Sequence, residues 1–380
     1  MIKLVARAER RSEPAPSGTA NTRARAIAAL PFTGLALALL LLLPAAPVAA
    51  PVRAAAVEPL ADARAATVEI TSTIEGTDRV GMAGSGAVVD LERGLVLTNA
   101  HVVVGAQRAR VRTSGGAQLA ATVLAEAPCD DLAVLRLESV PDDLRAFVVD
   151  GSRGVRTGDR VTALGYPVRD DGSRAPDATP TAGEVQAPLA ADRAARIPTS
   201  GPPLGSMVEH SAGLIPGNSG GPLLDADGWL VGINTLAGSQ SLAGTGFSVP
   251  VSRIAELLPE LAAGRGVLDV GWSLVPPRDP LYADLVPSRD RKAYAVTVQE
   301  TPGLWVSAVD DGSAAAGQLE RGDYLTAIAG QPVPDEFAVC EALRAHRGET
   351  VQVEGRYLGS AARYDTRPGT SFRVEVSIPG

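Results

Sequence analysis

The strongest constraint on this chain is a long succession of short apolar runs, each cut off by glycine, proline or a charged turn. Residues 66–74 alternate with β-branched side chains, and 86–90 and 95–98 are joined by the tight turn Glu92-Arg93-Gly94. Residues 109–113, 120–124 and 132–137 continue the series. Runs this short and this punctuated read as strands and hairpins rather than helices. They make a first small β-barrel that ends near Asp150. A second series covers 160–164, 181–187, 221–225, 229–234 and 246–249, with Asp225-Ala226-Asp227-Gly228 as a hairpin turn. An aromatic content of 4%, with 40 Gly and 29 Pro in 380 residues, suits turns better than long helices. The polar stretches 168–180 and 189–205 read as exposed loops.

A helix is expected over 252–261, with Ser252 as N-cap and Ile254, Leu257, Leu258 and Leu261 on one face. Gly264-Arg265-Gly266 then reads as a boundary. Beyond it come strands near 295–298, 304–309, 324–329 and 351–357, and helical segments near 313–318 and 335–346. This last part reads as a compact α+β domain. The fold class is therefore mostly β, organised as 1–56, 60–264 and 266–380.

Residues 1–25 are basic and polar, 26–50 are almost wholly apolar around Leu39–Leu43, and small residues follow. That order is an export signal, with cleavage plausible after Ala56. An uncleaved membrane anchor is the competing reading, since the run is long enough to span once, although Pro31, Pro44 and Pro47 interrupt it. Both readings place the body outside the cytoplasm, in the periplasm or cell envelope. The first 56 residues carry a net charge of +5 and the remainder −13. So acidic a body argues against nucleic acid as a partner. Cys129 and Cys340 fall in different domains, so two buried thiols are expected rather than a disulfide.

The glycine-rich turn Gly217-Asn218-Ser219-Gly220-Gly221-Pro222 can converge backbone N–H groups beside a hydroxyl, which suits a nucleophile with an oxyanion hole. It needs a base, and the chain has only three histidines: His101, His210 and His346. His101 follows the strand 95–98 directly, at a strand end where it can face a cleft. Asp131 heads the apolar run 132–137 and can accept the imidazole Nδ1–H; Asp130 is its competitor. The order His101, Asp131, Ser219 is one in which this triad occurs.

With these residues in hand, the sequence resembles the HtrA/Deg family of trypsin-like serine proteases. The carrying motifs are Gly84-Ser85-Gly86, Leu97-Thr98-Asn99-Ala100-His101-Val102-Val103, Asp131-Leu132-Ala133-Val134-Leu135, Leu164-Gly165-Tyr166-Pro167, the serine turn itself, Gly232-Ile233-Asn234 and 244–250. The resemblance implies a chymotrypsin-like double β-barrel. In it His101 is general base, Asp131 its orienter and Ser219 the nucleophile, with the N–H groups of Gly217 and Ser219 as oxyanion donors. Ile215, Thr245 and Gly246 are the substrate-pocket candidates. Ile215 stands where the family has a polar residue, and no acid lies in 211–218, which points to small or medium apolar P1 side chains. His210 reads as a loop residue.

The C-terminal domain resembles a single PDZ domain, carried by Gly303-Leu304-Trp305-Val306, 312–317, Gly322-Asp323-Tyr324-Leu325 and Gly330. The resemblance implies that Gly303, Leu304, Trp305 and Val306 form the carboxylate-binding loop and edge strand for C-terminal peptides, beside a helix at 337–344. Residues 57–80 contain none of the aromatics on which family trimers are built, so the family points to a homo-oligomer without marking a trimer. No metal-ligand cluster and no nucleotide loop occur, so no cofactor is expected. The function implied is a serine endopeptidase acting on unfolded or misfolded proteins or on a specific regulatory target. A non-catalytic peptide-binding or chaperone scaffold is the alternative.

Overall fold

Strands β1 (Thr67–Thr73), β2 (Val80–Asp90), β3 (Leu95–Thr98), β4 (Arg108–Arg112), β5 (Gln118–Ala127) and β6 (Leu132–Leu137) close into a barrel in the order β1-β2-β3-β6-β5-β4. The computed structural model describes residues 59–73, 80–169, 171, 173–189, 207–237, 244–277, 301–357 and 370–380. The export segment, the strand expected at 295–298 and most of the 189–205 loop lie outside those residues. The alternating pattern of β4, with Ala109 and Val111 inside, is what lets a short strand commit one face to the core. Val68, Ile70, Val88, Val96, Val111 and Leu135 fill this barrel, each essentially inaccessible. Each such side chain contributes about 1.5–3 kcal/mol relative to exposure.

A second closed barrel is built from β7 (Arg160–Gly165), β8 (Thr179–Ala187), β9 (Val208–His210), β10 (Pro222–Asp225), β11 (Leu230–Ala237) and β12 (Gly246–Pro250), ordered β10-β11-β12-β9-β8-β7. Closing both sheets removes the exposed strand edges that short antiparallel strands would otherwise leave. β9 corrects the expectation that His210 lies in a loop. The strand is three residues long and two of them are polar, so no alternation marks it. It forms because its backbone bridges β8 and β12, with His210 paired to Val185 and to Gly246. The stretch 168–180 is also less exposed than expected. Ala175 and Ala178 are buried, and Arg174 and Arg112 pin the segment to the first barrel through Glu69 and the Ala175 carbonyl.

Helix α1 (Pro59–Ala65) precedes the first barrel, and α2 (Ala100–Val103) is a single turn after β3. Helix α3 (Val251–Ala262) buries Ile254, Leu257 and Leu261 as the pattern predicts. Its N-cap is Pro250, not Ser252, because β12 runs straight into the helix and leaves Ser252 within the first turn.

A third sheet, of six strands, follows. β13 (Trp272–Val275), β14 (Leu304–Val309), β15 (Asp323–Ile328), β17 (Thr350–Tyr357) and β18 (Ser371–Ser377) lie in that order, with β16 (Gln331–Pro332) paired to β15. Helix α4 (Glu336–Ala345) is capped by the Asp335 carboxylate, which accepts from the Ala338 N–H. The helix expected over 313–318 is a series of turns. Gly317 has φ +75, and the Ser313 hydroxyl accepts from the Ala316 N–H, so local side-chain bonding replaces a helix too short to nucleate.

All described residues belong to one compact unit, Ala56–Gly380. Within it Cys129 and Cys340 form a disulfide, which overturns the expectation of two free thiols. Their sequence separation of 211 residues says nothing about their distance, because α4 packs its Cys340 face onto the turn after β5. A native disulfide typically adds ~2–4 kcal/mol.

Candidate active site

His101 and Asp131 meet because two local devices aim them. The β3 strand ends at Thr98, and Asn99 in extended backbone turns the chain into α2, which presents the His101 imidazole. Pro128–Asp130 form one 3₁₀ turn after β5, and Asp131 closes it in the left-handed conformation, φ 50 and ψ 45. Aspartate tolerates that region better than most residues. The Asn99 side-chain amide then donates to the Asp131 carbonyl at 2.8 Å and ties the two turns together.

The Asp131 carboxylate is 2% exposed and saturated with donors. His101 Nδ1 lies 3.0 Å from Oδ1 and 2.9 Å from Oδ2, the His101 backbone N–H donates to Oδ1 at 3.0 Å, and the Thr235 hydroxyl donates to Oδ2. The imidazole keeps 28% exposure, so one side of the ring stays accessible. Burial disfavours its charged form, but the field and hydrogen bond of Asp131 outweigh that, and its pKa is raised above the ordinary 6.5. Asp130 points the other way and forms a two-bond pair with Arg253 of α3, at 2.9 and 3.1 Å.

The serine turn belongs to the second barrel but is held by the first. The Ser85 N–H donates to the Ser219 carbonyl at 2.7 Å, and the Ser85 hydroxyl donates to the Gly217 carbonyl at 2.7 Å. The same hydroxyl accepts from the Tyr166 N–H at 2.8 Å. Gly217 and Gly220 both need φ near +90, and a Cβ there would sit 2.4 Å from the Tyr166 carbonyl and 2.1 Å from the Ser85 carbonyl respectively. Only glycine fits such a turn. The N–H of Asn218 donates to Ile215 and that of Gly220 to Asn234, whereas no hydrogen bond among the described residues uses the N–H of Gly217 or Ser219. Those two donors are the ones an oxyanion hole requires. The Ser219 hydroxyl donates to the Thr235 carbonyl at 3.1 Å.

Thr235 and Ser85 are the site residues that residue-type reasoning passes over, since neither carries catalytic chemistry itself. Their signal is present in Gly232-Ile233-Asn234 and Gly84-Ser85-Gly86, which mark backbone approaching the site. Ser85→Ala leaves a buried N–H and a carbonyl without their partner. It is expected to cost about 1–3 kcal/mol in urea unfolding and to slow reagents that attack Ser219.

Of the pocket candidates, Ile215 stands 51% exposed on the approach to the serine turn, while Thr245 and Gly246 are buried. The Gly246 Cα faces the ring of His210 so closely that a Cβ would lie 2.4 Å from Cε1. His210 Nε2 is 2.9 Å from the Ser248 hydroxyl, which donates in turn to Asn234 Oδ1 at 3.1 Å. Burial lowers this imidazole to about 4, so it is a neutral packing residue at physiological pH and not a second base. His346 lies far along the chain on the C-cap of α4, paired with Glu349.

The C-terminal residues singled out for peptide binding do not form an edge. Leu304–Val306 lie in β14, which is bonded to β13 on one side and to β15 on the other. Leu304, Trp305 and Val306 are buried, and the Trp305 ring packs edge-on to Tyr324 at 5.3 Å. A Cβ on Gly303 would meet the Leu325 carbonyl at 2.2 Å. The spacing alone could not show this, because β13, which takes the outer flank, lies distant in sequence and is only four residues long. Trp272–Val275 is the edge strand on the β14 side of this sheet, and β18 ends it on the other.

Two closed barrels with this constellation define a trypsin-like peptidase domain, and residues 84–233 match the family model of that description. The putative serine protease HhoA of Synechocystis is 31% identical over 262 residues, 68% of this chain and 62% of its own. The periplasmic serine endoprotease DegP of Escherichia coli K12 is 30% identical over 272 residues, 70% of this chain and 51% of its own. Across these residues the chain is similar to the HtrA family of trypsin-like serine proteases. It spans about half to three-fifths of the length of these relatives.

Proposed function

We propose that this chain is a serine endopeptidase of the cell envelope, cleaving unfolded or misfolded proteins or a specific regulatory target. The observation that carries this reading is the buried Asp131 carboxylate on the imidazole of His101, with the N–H groups of Gly217 and Ser219 on the neighbouring turn engaged in no hydrogen bond among the described residues. In this mechanism the Ser219 hydroxyl leaves the Thr235 carbonyl and turns to His101 Nε2 as substrate binds. His101 takes the proton as Oγ attacks the scissile carbonyl. Asp131 keeps Nδ1 protonated and stabilises the imidazolium, and the oxyanion settles on the two N–H groups. His101 then protonates the leaving amine, and a water molecule repeats the sequence to release the acyl group.

A fluorophosphonate tests this directly. Labelling that maps to Ser219 is expected, and a folded protein that stays unlabelled would favour the scaffold role. The pH profile follows from His101. The base works only when neutral, and its pKa is raised, so kcat/KM is expected to fall as pH drops with a midpoint above 6.5.

The basic-apolar-small order of residues 1–56 acts in this reading as an export signal that delivers the body outside the cytoplasm. The disulfide supports such a location, since disulfides persist in oxidising compartments. The C-terminal domain acts as a PDZ domain. A C-terminal peptide adds along the outer flank of β13 rather than at Leu304–Val306, because β14 is paired on both flanks whereas β13, next to it, has no strand neighbour on its outer flank among the described residues.

A further inference from the structure

The turn that presents Asp131 is held from outside the protease barrels. Cys129, two residues before Asp131, is joined to Cys340 of α4, and one helical turn further on the Arg344 guanidinium donates to the Cys129 carbonyl at 2.9 Å. On its other side the turn is gripped by the Asp130–Arg253 pair. Asp131 therefore caps the three-residue turn Pro128–Asp130, whose middle residue, Cys129, is covalently bonded to the C-terminal domain. No residue between Cys129 and Asp131 is free to absorb a shift, since Asp130 is itself paired and buried. The loop after α2 reaches the same domain. A Cβ on Gly105 would lie 3.2 Å from the Cβ of Ala308.

We propose that the Cys129–Cys340 disulfide is a redox-sensitive tether that positions Asp131, so that the oxidised chain is the competent protease and a dithiol reductant converts it to a slower form. The proposal rests on the reading of His101, Asp131 and Ser219 as the reaction centre. Reduction proceeds by attack of one reductant thiolate on a cysteine sulfur, which forms a mixed disulfide and releases the other cysteine as thiolate. The second thiol of the reductant displaces the first cysteine and leaves as a cyclic disulfide, so two electrons and two protons pass to the cysteine pair. Both cysteines are buried, at 1% and 3% exposure, so exchange requires α4 to lift from the turn and is slow in the folded chain. The Arg344 and Arg253 contacts survive reduction. The turn is thus loosened rather than lost, and Asp131 drifts from the imidazole.

A displacement of about 1 Å in a catalytic group can cost up to ~10²-fold in rate, so a loosened Asp131 is expected to lower kcat roughly tenfold and to leave KM unchanged. The test uses the full chain, oxidised or incubated with dithiothreitol until alkylation counts two thiols per molecule, Cys129 and Cys340 being its only cysteines. Casein turnover is followed well below the melting temperature of the reduced form. The expected result is the kcat loss at constant KM, recovery on reoxidation by oxidised glutathione, and a Cys129→Ser/Cys340→Ser variant fixed at the reduced level whatever the reductant. Equal kcat for the oxidised chain and a folded chain with two counted thiols overturns the tether, as does a loss confined to KM. An Asp131→Asn control separates the two readings. If it is nearly inactive while the reduced chain is fully active, only the tether fails; if it matches the oxidised chain, the reaction centre itself is misassigned.

Discussion

Ser219→Ala lowers cleavage of an unfolded protein such as casein by about 10⁶-fold, the scale seen when a triad nucleophile is removed. The loss falls on kcat, because the hydroxyl supplies the attacking atom and little binding. Stability should stay within ~0.5 kcal/mol of the parent in urea unfolding, as for substitutions away from packed or bonded features. The turn is held by the Ser85 N–H and hydroxyl and by the backbone of Gly217 and Gly220, none of which the substitution touches, and the lost side-chain bond is a single 3.1 Å contact to the Thr235 carbonyl. Residual cleavage measured in parallel with the parent settles the matter, and equal rates for the two proteins would remove Ser219 from the mechanism.

Asp131→Asn is expected to reduce kcat/KM by about 10⁴-fold at neutral pH. Asparagine tolerates the left-handed backbone that residue 131 adopts, so the turn should survive. What changes is the hydrogen-bond polarity. An amide that presents its NH₂ toward His101 cannot accept the Nδ1–H, so the ring is held in the tautomer that lacks a basic Nε2. The negative charge that raises the His101 pKa also disappears. With desolvation alone acting, the neutral imidazole is favoured, and the acid limb of the residual activity moves to lower pH. A variant whose acid limb stays in place would show that another group carries the pH dependence.

The barrel strands were legible because their apolar residues repeat at the spacing of a pleated chain and their boundaries carry turn residues. β9 was not, since three residues with buried Glu209 and His210 carry no such pattern, and only the closing of the second barrel makes them a strand. β18 is a milder case. Phe372, Val374 and Val376 alternate with polar residues in the sequence, and the structure buries Phe372 and Val376 against β17. The β14 strand shows the opposite error. Its glycine-led apolar run gave a correct strand, but whether a strand is central or at an edge depends on what pairs with its second flank.

The site divides along the same line. Sequence by itself determined which residue types can do the chemistry, because few histidines exist, one serine lies in a turn only glycines can make, and an aspartate heads an apolar strand. It also determined the barrels, because alternation and turns are local properties. Sequence already favoured Asp131 over Asp130, because it abuts the apolar strand; tertiary structure shows how the two part, since one left-handed residue sends adjacent carboxylates to His101 and to Arg253. It alone brought Thr235 and Ser85 to the site and joined Cys129 to Cys340. Those are contacts between segments far apart in the chain, and their geometry is set by how barrels and sheet pack rather than by any spacing of residues.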